Sequence, residues 1–206
     1  MKTLVILAGG KSSRMGKDKV FLRINARPEL KEQTFIEHLF QKGRESFEQI
    51  IISTGSKEHG EAIAALLPEA KIVPDRYESI GPMGGLLSVY EETGTVPFAV
   101  VPVDVPGAEM RVLSYFCEQC KEEACIYSDG EHFEPLIAAY GKKVFDRMKK
   151  LQENGCYQLR KAFSEETRFF SENQIKSALP ELKDVDLQAA FRNINTIQEY
   201  ENGHFG

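Results

Sequence analysis

The sequence predicts an α/β fold built on a mostly parallel sheet, on three observations. Short β-branched runs recur along the chain, at Thr3–Leu7, Gln49–Ser53, Lys71–Val73, Phe98–Val103, Ala124–Tyr127 and Leu136–Ala139. The first four are nearly continuous in apolar residues and do not alternate, as expected of strands covered on both faces. Helical stretches lie between them, and strands alternating with helices imply βαβ crossovers.

The first run, TLVIL, leads directly into a glycine-rich stretch. Thr34–Phe47 then sets Phe35, Leu39, Phe40 and Phe47 at helical spacing, with Thr34 able to cap the start. Further helices are expected at Lys57–Leu67, Met83–Glu92, Glu109–Glu122 and Lys142–Glu153. Past Cys156 the pattern loosens, and Phe163, Phe169 and Phe170 show no long period. The tail Phe191–Tyr200 reads as a short extended piece, with Thr196 capping a final helix. No repeat, low-complexity tract or linker breaks the chain, so one domain over residues 1–206 is expected.

The length of 206 residues suffices to bury one large core. Apolar residues make up 42% and charged residues 28%, ordinary globular values that exclude collagen, disorder and a small disulfide scaffold. The formal charge is −5, so the chain lacks the positive footprint of a protein that coats nucleic acid or anionic membrane. Cys117 and Cys120 form one C-x2-C pair, yet a zinc site wants a second pair, and only His132 is near. Free thiols in a reducing compartment are expected. The opening MKTLVILAGG is too short in apolar residues for a signal peptide, and no uncharged run reaches the ~18–20 residues that span a bilayer. A soluble, cytoplasmic protein with no nucleic-acid or membrane partner is expected.

The chemistry concentrates in three segments. Leu7–Lys19, LAGGKSSRMGKDK, follows the first predicted strand, where an open α/β sheet delivers its chain to a ligand. Gly9, Gly10 and Gly16 permit close backbone approach, and successive amides there can cradle phosphate oxygens. Lys11, Arg14, Lys17 and Lys19 bring four cations into nine residues of an acidic protein. The stretch is no P-loop, because five residues separate Gly10 from Gly16 and Asp18 follows Lys17. It also fails the dinucleotide pattern G-x-G-x-x-G. Phosphate binding is favoured over a solvated surface loop. Gly81–Leu86, GPMGGL, offers a tight turn and a helix N-terminus that suits an anion or a base edge. Asp104 closes the hydrophobic run FAVVPVDVP, where a carboxylate can hold Mg²⁺ beside a triphosphate.

Together these segments resemble the nucleotidyltransferases of the molybdenum cofactor pathway, most closely the MobA type of molybdenum cofactor guanylyltransferases. The resemblance rests on LAGGKSSRMGKDK at 7–19, PD at 74–75, GPMGGL at 81–86, PVDVP at 102–106, EPLIAAY at 134–140 and NINT at 193–196, in the family's order. It implies a Rossmann-like, three-layer α/β/α fold of the nucleotide-diphospho-sugar transferase type, GTP as substrate and Mg²⁺ as cofactor. It implies transfer of GMP to the phosphate of molybdopterin or the molybdenum cofactor, with cofactor carriers or molybdoenzyme-maturation proteins as further partners. By similarity Leu7, Ala8 and Gly9 touch the nucleotide and Lys19 its phosphates. Asp75 lies on the nucleoside side, as do Gly81, Gly84 and Gly85, and Asp104 binds nucleotide and metal. Ser53 falls where relatives often have Asn. Pro135, Asn193 and Asn195 fall at the acceptor end. The segment Arg27–Gln33 is longer than the family's usual link to its first helix.

The implied reaction is attack of an acceptor phosphate oxygen on the α-phosphorus of GTP. Such a phosphate is largely ionised near neutral pH and needs little general-base help. None of His38, His59, His132 and His204 sits in the glycine-rich or Asp104 segments, and none is assigned a catalytic role. Arg14 and Lys19 are expected to neutralise the triphosphate, the backbone of Gly9 and Gly10 to hold its oxygens, and Asp104 to anchor Mg²⁺. A cytidylyltransferase for the same cofactor, a sugar-phosphate nucleotidyltransferase and a nucleotide-binding regulator without turnover are the competing readings. All of the enzymatic readings require Lys19 and Asp104 to face one cleft.

Overall fold

The computed structural model describes residues 1–9, 18–24, 33–77, 79–195 and 199. Thr3–Leu7 forms β1, buried along its whole length. It is followed by β2 (Gln49–Thr54), β3 (Lys71–Pro74), β4 (Phe98–Pro102), β5 (Ala124–Ser128), β6 (Phe133–Tyr140) and β7 (Arg168–Ser171). They make a seven-stranded sheet in the order β3-β2-β1-β4-β6-β5-β7. β1 pairs in parallel with β2 on one side and β4 on the other, Thr3 facing both Gln49 and Phe98. Among these strands β6 alone runs antiparallel to its neighbours. The cause is the short link at residues 129–132, which can turn a hairpin but cannot make a crossover. Asp129 Oδ1 tightens that link by accepting from the amides of Glu131 (2.9 Å) and His132 (2.6 Å).

The helices are α1 (Phe35–Arg44), α2 (Lys57–Leu66), α3 (Pro82–Thr93), α4 (Met110–Gln119), α5 (Lys142–Glu153), α6 (Glu172–Ala178) and α7 (Leu187–Ala190). Successive residues of a strand point to opposite faces, so β1 feeds two cores. Leu4 and Ile6 pack in the core that holds Phe35 and Leu39 of α1 and Leu113 and Phe116 of α4. Val5 and Leu7 pack in the core that holds Met83 and Leu86 of α3 and Phe145 and Met148 of α5. That two-sided burial explains the unbroken apolar run and gives the three-layer α/β/α architecture.

Several predicted bounds move for local reasons. α1 starts as expected, at a capping box in which Thr34 Oγ1 accepts from Glu37 N and Glu37 Oε2 accepts from Thr34 N. It stops at Arg44, and Phe47 is buried just beyond. β6 begins at Phe133, earlier than the apolar run suggests, because its ladder with β5 resumes at Glu134, opposite Tyr127, after residues 135–137 of β6 are left out of the register between Ile126 and Tyr127. Beyond Cys156, where the sequence pattern loosens, β7 pairs in parallel with β5, and Phe170 packs 5.2 Å from Phe116 between ring centroids. α6 follows on a second capping box, Ser171 with Gln174, a signal that the S-E-N-Q spacing carries. Thr196 and all but Glu199 of the helix expected after it lie outside the described residues. All four cysteines are free, and no group of three or more His, Cys, Asp or Glu able to hold a metal occurs among the described residues. Among those residues no helix is long and apolar enough to cross a membrane.

His38 lies buried on α1, and burial, helped by the nearby Lys42 ammonium, pushes its imidazole down to about 4 from an ordinary 6.5. The unfolded chain therefore takes up this proton at a higher pH than the native protein. The stability gained by keeping His38 neutral is complete above about pH 6.5 and is lost as the pH falls towards 4. Urea unfolding of the wild type and of His38→Leu at pH 7 and pH 4 checks this. The wild type is expected to lose on the order of 3 kcal/mol more than the variant over that interval.

Candidate functional site

The chain adds β2 and β3 on one side of β1, then crosses through α3 to place β4 on the other. Such a reversal leaves a crevice beyond the carboxyl ends of the two central strands. Here it is a cleft of about 1150 Å³. Its rim is rigid because the backbone ladders continue past the strand ends. Ala8 N donates to Ser53 O at 2.8 Å, Val103 N to Leu7 O at 3.0 Å and Asp75 N to Thr54 O at 2.7 Å.

At the centre of the cleft Lys19 meets Asp104. Asp18 Oδ1 accepts from Val20 N at 3.1 Å and so caps a 3₁₀ turn, Lys19–Phe21. That turn aims the Lys19 side chain at the exit of β4, where Nζ lies 2.9 Å from Asp104 Oδ2 and 3.0 Å from Asn195 Oδ1. The two charged side chains are 15% and 24% exposed, so solvent reaches the pair only in part. Ile194 N donates to the Asp104 carbonyl at 2.8 Å, which ties the C-terminal segment to the same strand exit.

One end of the cleft is built around Asp75. Its Oδ1 accepts from Tyr77 N at 2.8 Å and lies 3.1 Å from the Ser88 hydroxyl, and burial pushes its carboxyl pKa up. Asp75 packs against the first turn of α3. Gly81 caps that helix with φ of +67°, a conformation that costs a residue with a Cβ. A Cβ on Gly84 would stand 2.7 Å from Asp75 Oδ2, and one on Gly85 2.6 Å from Ser53 Oγ. The paired glycines of GPMGGL therefore let α3 lie close on the strand exits of Ser53 and Asp75.

The opposite end is bounded by Glu134 and Pro135 on β6, by Asn193, and by the 3₁₀ turn Leu159–Ala162. The buried Tyr140 hydroxyl donates to the Pro135 carbonyl and fixes that stretch of β6. Arg160 lays its guanidinium 4.4 Å above the Phe133 ring at the cleft wall. Burial and the nearby Asp129 push the Glu134 carboxyl up, against the opposing pull of Arg160.

Of the residues singled out in the sequence, Leu7, Ala8, Gly9, Lys19, Ser53 and Asp75 line this cleft. So do Gly81, Gly85, Asp104, Pro135 and Asn193. Gly84 stands behind Asp75, and Asn195 reaches in through Lys19. Gly10 and Arg14 lie outside the described residues, with Lys11, Gly16, Lys17 and most of Arg27–Gln33. Sequence reading missed Glu134 and Arg160. Arg160 sits in the stretch without periodicity, and only the fold brings it to the cleft.

A switch-point cleft with a lysine and a carboxylate joined at its centre and a glycine-rich helix start beside them is the arrangement of a nucleotidyltransferase. Residues 4–169 match the model of the MobA-like NTP transferase domain, and the chain belongs to that family. It is 32% identical over 205 residues to a probable molybdenum cofactor guanylyltransferase of Clostridium perfringens, covering 98% of this chain and 95% of the relative. A molybdenum cofactor guanylyltransferase of Vibrio parahaemolyticus is 31% identical over 157 residues, 73% of this chain and 74% of the relative. Among solved structures, molybdopterin-guanine dinucleotide biosynthesis protein A of Archaeoglobus fulgidus superimposes with a TM-score of 0.78 at 18% identity. It covers 98% of this chain and 96% of its own, and shows the shared fold.

The close approach at Gly84 gives a direct test. Asp75 is pinned by Tyr77 and Ser88 and has little room to yield. Gly84→Ala is expected to destabilise the fold by about 1–3 kcal/mol through overpacking, read as a lowered midpoint in urea.

Proposed function

We propose that this protein transfers GMP from GTP to the phosphate of molybdopterin or the molybdenum cofactor, yielding the guanine dinucleotide form and pyrophosphate. It works as one domain over residues 1–206, in the cytoplasm, with cofactor carriers or maturation proteins as further partners. The observation that carries this reading is the Lys19–Asp104 pair at the centre of a cleft with room on either side. GTP is read into the end with Asp75 and α3, and the acceptor into the end with Pro135, Arg160 and Asn193.

An oxygen of the acceptor phosphate bonds to the α-phosphorus as the bond from that phosphorus to the β-phosphate oxygen breaks, and pyrophosphate leaves. No proton need be removed from an ionised acceptor phosphate. The work is bringing two anions together and stabilising charge on the leaving group. Lys19 supplies a flexible ammonium for the phosphates, held by Asp104 and Asn195 until a stronger anion competes for it. Arg160 supplies a planar fork for the acceptor phosphate. Ser53 and Asp75, with Gly81 and Gly85, bound the nucleoside.

Nucleotidyltransferases of this kind imply a divalent metal, and the donor set here suits Mg²⁺. Mg²⁺ takes one or two protein carboxylates and completes its shell with substrate phosphates and water. Asp104 is the carboxylate that would hold it, and no cage of three ligands is needed. When bound, the metal would neutralise phosphate oxygens and polarise the α-phosphorus.

The test is direct. Purified protein with GTP, Mg²⁺ and molybdopterin is expected to release pyrophosphate and form the guanine dinucleotide, with CTP and UTP poor substitutes. Equal turnover with CTP would contradict the choice of base. Lys19→Ala and Asp104→Ala are each expected to lower kcat by on the order of 10²–10³ with the fold intact by circular dichroism. Arg160→Ala is expected to raise the acceptor KM about tenfold or more while the GTP KM changes little.

A further inference from the structure

The Lys19 ammonium can serve the phosphates only if its turn is held at the cleft rim, and the turn is only three residues long. A side chain from a different βα unit grips it at both ends. His59, on the first turn of α2, places Nε2 3.0 Å from Asp18 Oδ2, just before Lys19. Its ring meets the ring of Phe21, the last residue of the turn, edge to face at 5.9 Å and 76°. The carboxylate of Asp18 is thereby divided, with Oδ1 capping the turn from within and Oδ2 facing His59 from outside. His59 Nε2 is closed to solvent and makes no well-aligned hydrogen bond, so Asp18 is the group that compensates it. His59 is fixed in turn, because its amide donates to the Ser56 hydroxyl that caps α2.

We infer that His59 is a positioning residue for Lys19, clamping the Asp18–Phe21 segment onto α2 so that the lysine reaches the reaction centre. It acts through Lys19 and touches neither substrate. The inference rests on the guanylyl-transfer reading for its activity readout, and GTP affinity supplies a second readout that does not. His59→Ala is expected to lower kcat/KM for GTP about tenfold. In a Lys19→Ala background the same change is expected to cost less than about twofold, since the group being positioned is gone. His59→Gln, whose amide nitrogen can stand near the Nε2 position, is expected to recover most of the loss. A tenfold loss in both backgrounds, or no loss in either, would overturn the inference. If the wild type transfers no nucleotide at all, the functional reading fails by itself. The clamp is then read from GTP binding by calorimetry, where His59→Ala is expected to weaken affinity about tenfold in the wild-type background alone. Unchanged affinity would refute it.

Discussion

An ammonium and a carboxylate 85 positions apart in the chain meet at 2.9 Å, and the arrangement of the cleft follows from what brings them there. The cause is the parallel pairing of β1 with β4, which sets Leu7 beside Pro102 and so aligns two strand exits. One exit leads towards the turn that carries Lys19, and the other carries Asp104. Removing both charges from bulk water is costly, and their mutual attraction offsets that cost only with good geometry. Here the lysine is satisfied by a second oxygen, from Asn195, while the Asp104 backbone is tied to Ile194. The C-terminal segment is thus part of the centre, although it is remote in sequence.

The same constraint explains where substrates can lie. β2 and β3 extend the sheet on the Asp75 side, and β6 extends it on the Pro135 side. A ligand spanning the Lys19–Asp104 pair must therefore touch both halves of the sheet. The first half offers close backbone approach at α3, where glycines remove the side chains that would collide with Ser53 and Asp75. The second offers an arginine held over an aromatic ring, a cation whose position is set by packing. On the proposed reading these different chemistries serve the two ends of one reaction.

Much of the fold was legible because two-sided burial leaves a plain trace. The unbroken run TLVIL fits a strand covered on both faces, and Thr34 marks the start of its helix. The reversal of β6 was readable in principle from its short link, and α6 from its capping box. Both lay in stretches where apolar periodicity is weak. For the site, Lys19 and Asp104 could be picked out because strand exits and glycine-rich turns mark themselves locally, while Asp75 came from the family resemblance. Arg160 and His59 could not. Arg160 reaches the cleft from a 3₁₀ turn without pattern, and His59 touches Asp18 across two separate βα units. Contacts of that kind depend on how elements pack, which local sequence does not encode.

On the proposed reading, Lys19 and Asp104 together receive one triphosphate–metal unit. Diffraction from crystals grown with Mn²⁺ and a GTP analogue that cannot be cleaved between the α- and β-phosphates tests it most directly. An anomalous Mn²⁺ peak is expected within coordination distance of Asp104, with the Lys19 ammonium on a phosphate oxygen of the same ligand. A metal held by other carboxylates, or a triphosphate bound out of reach of Lys19, would contradict it.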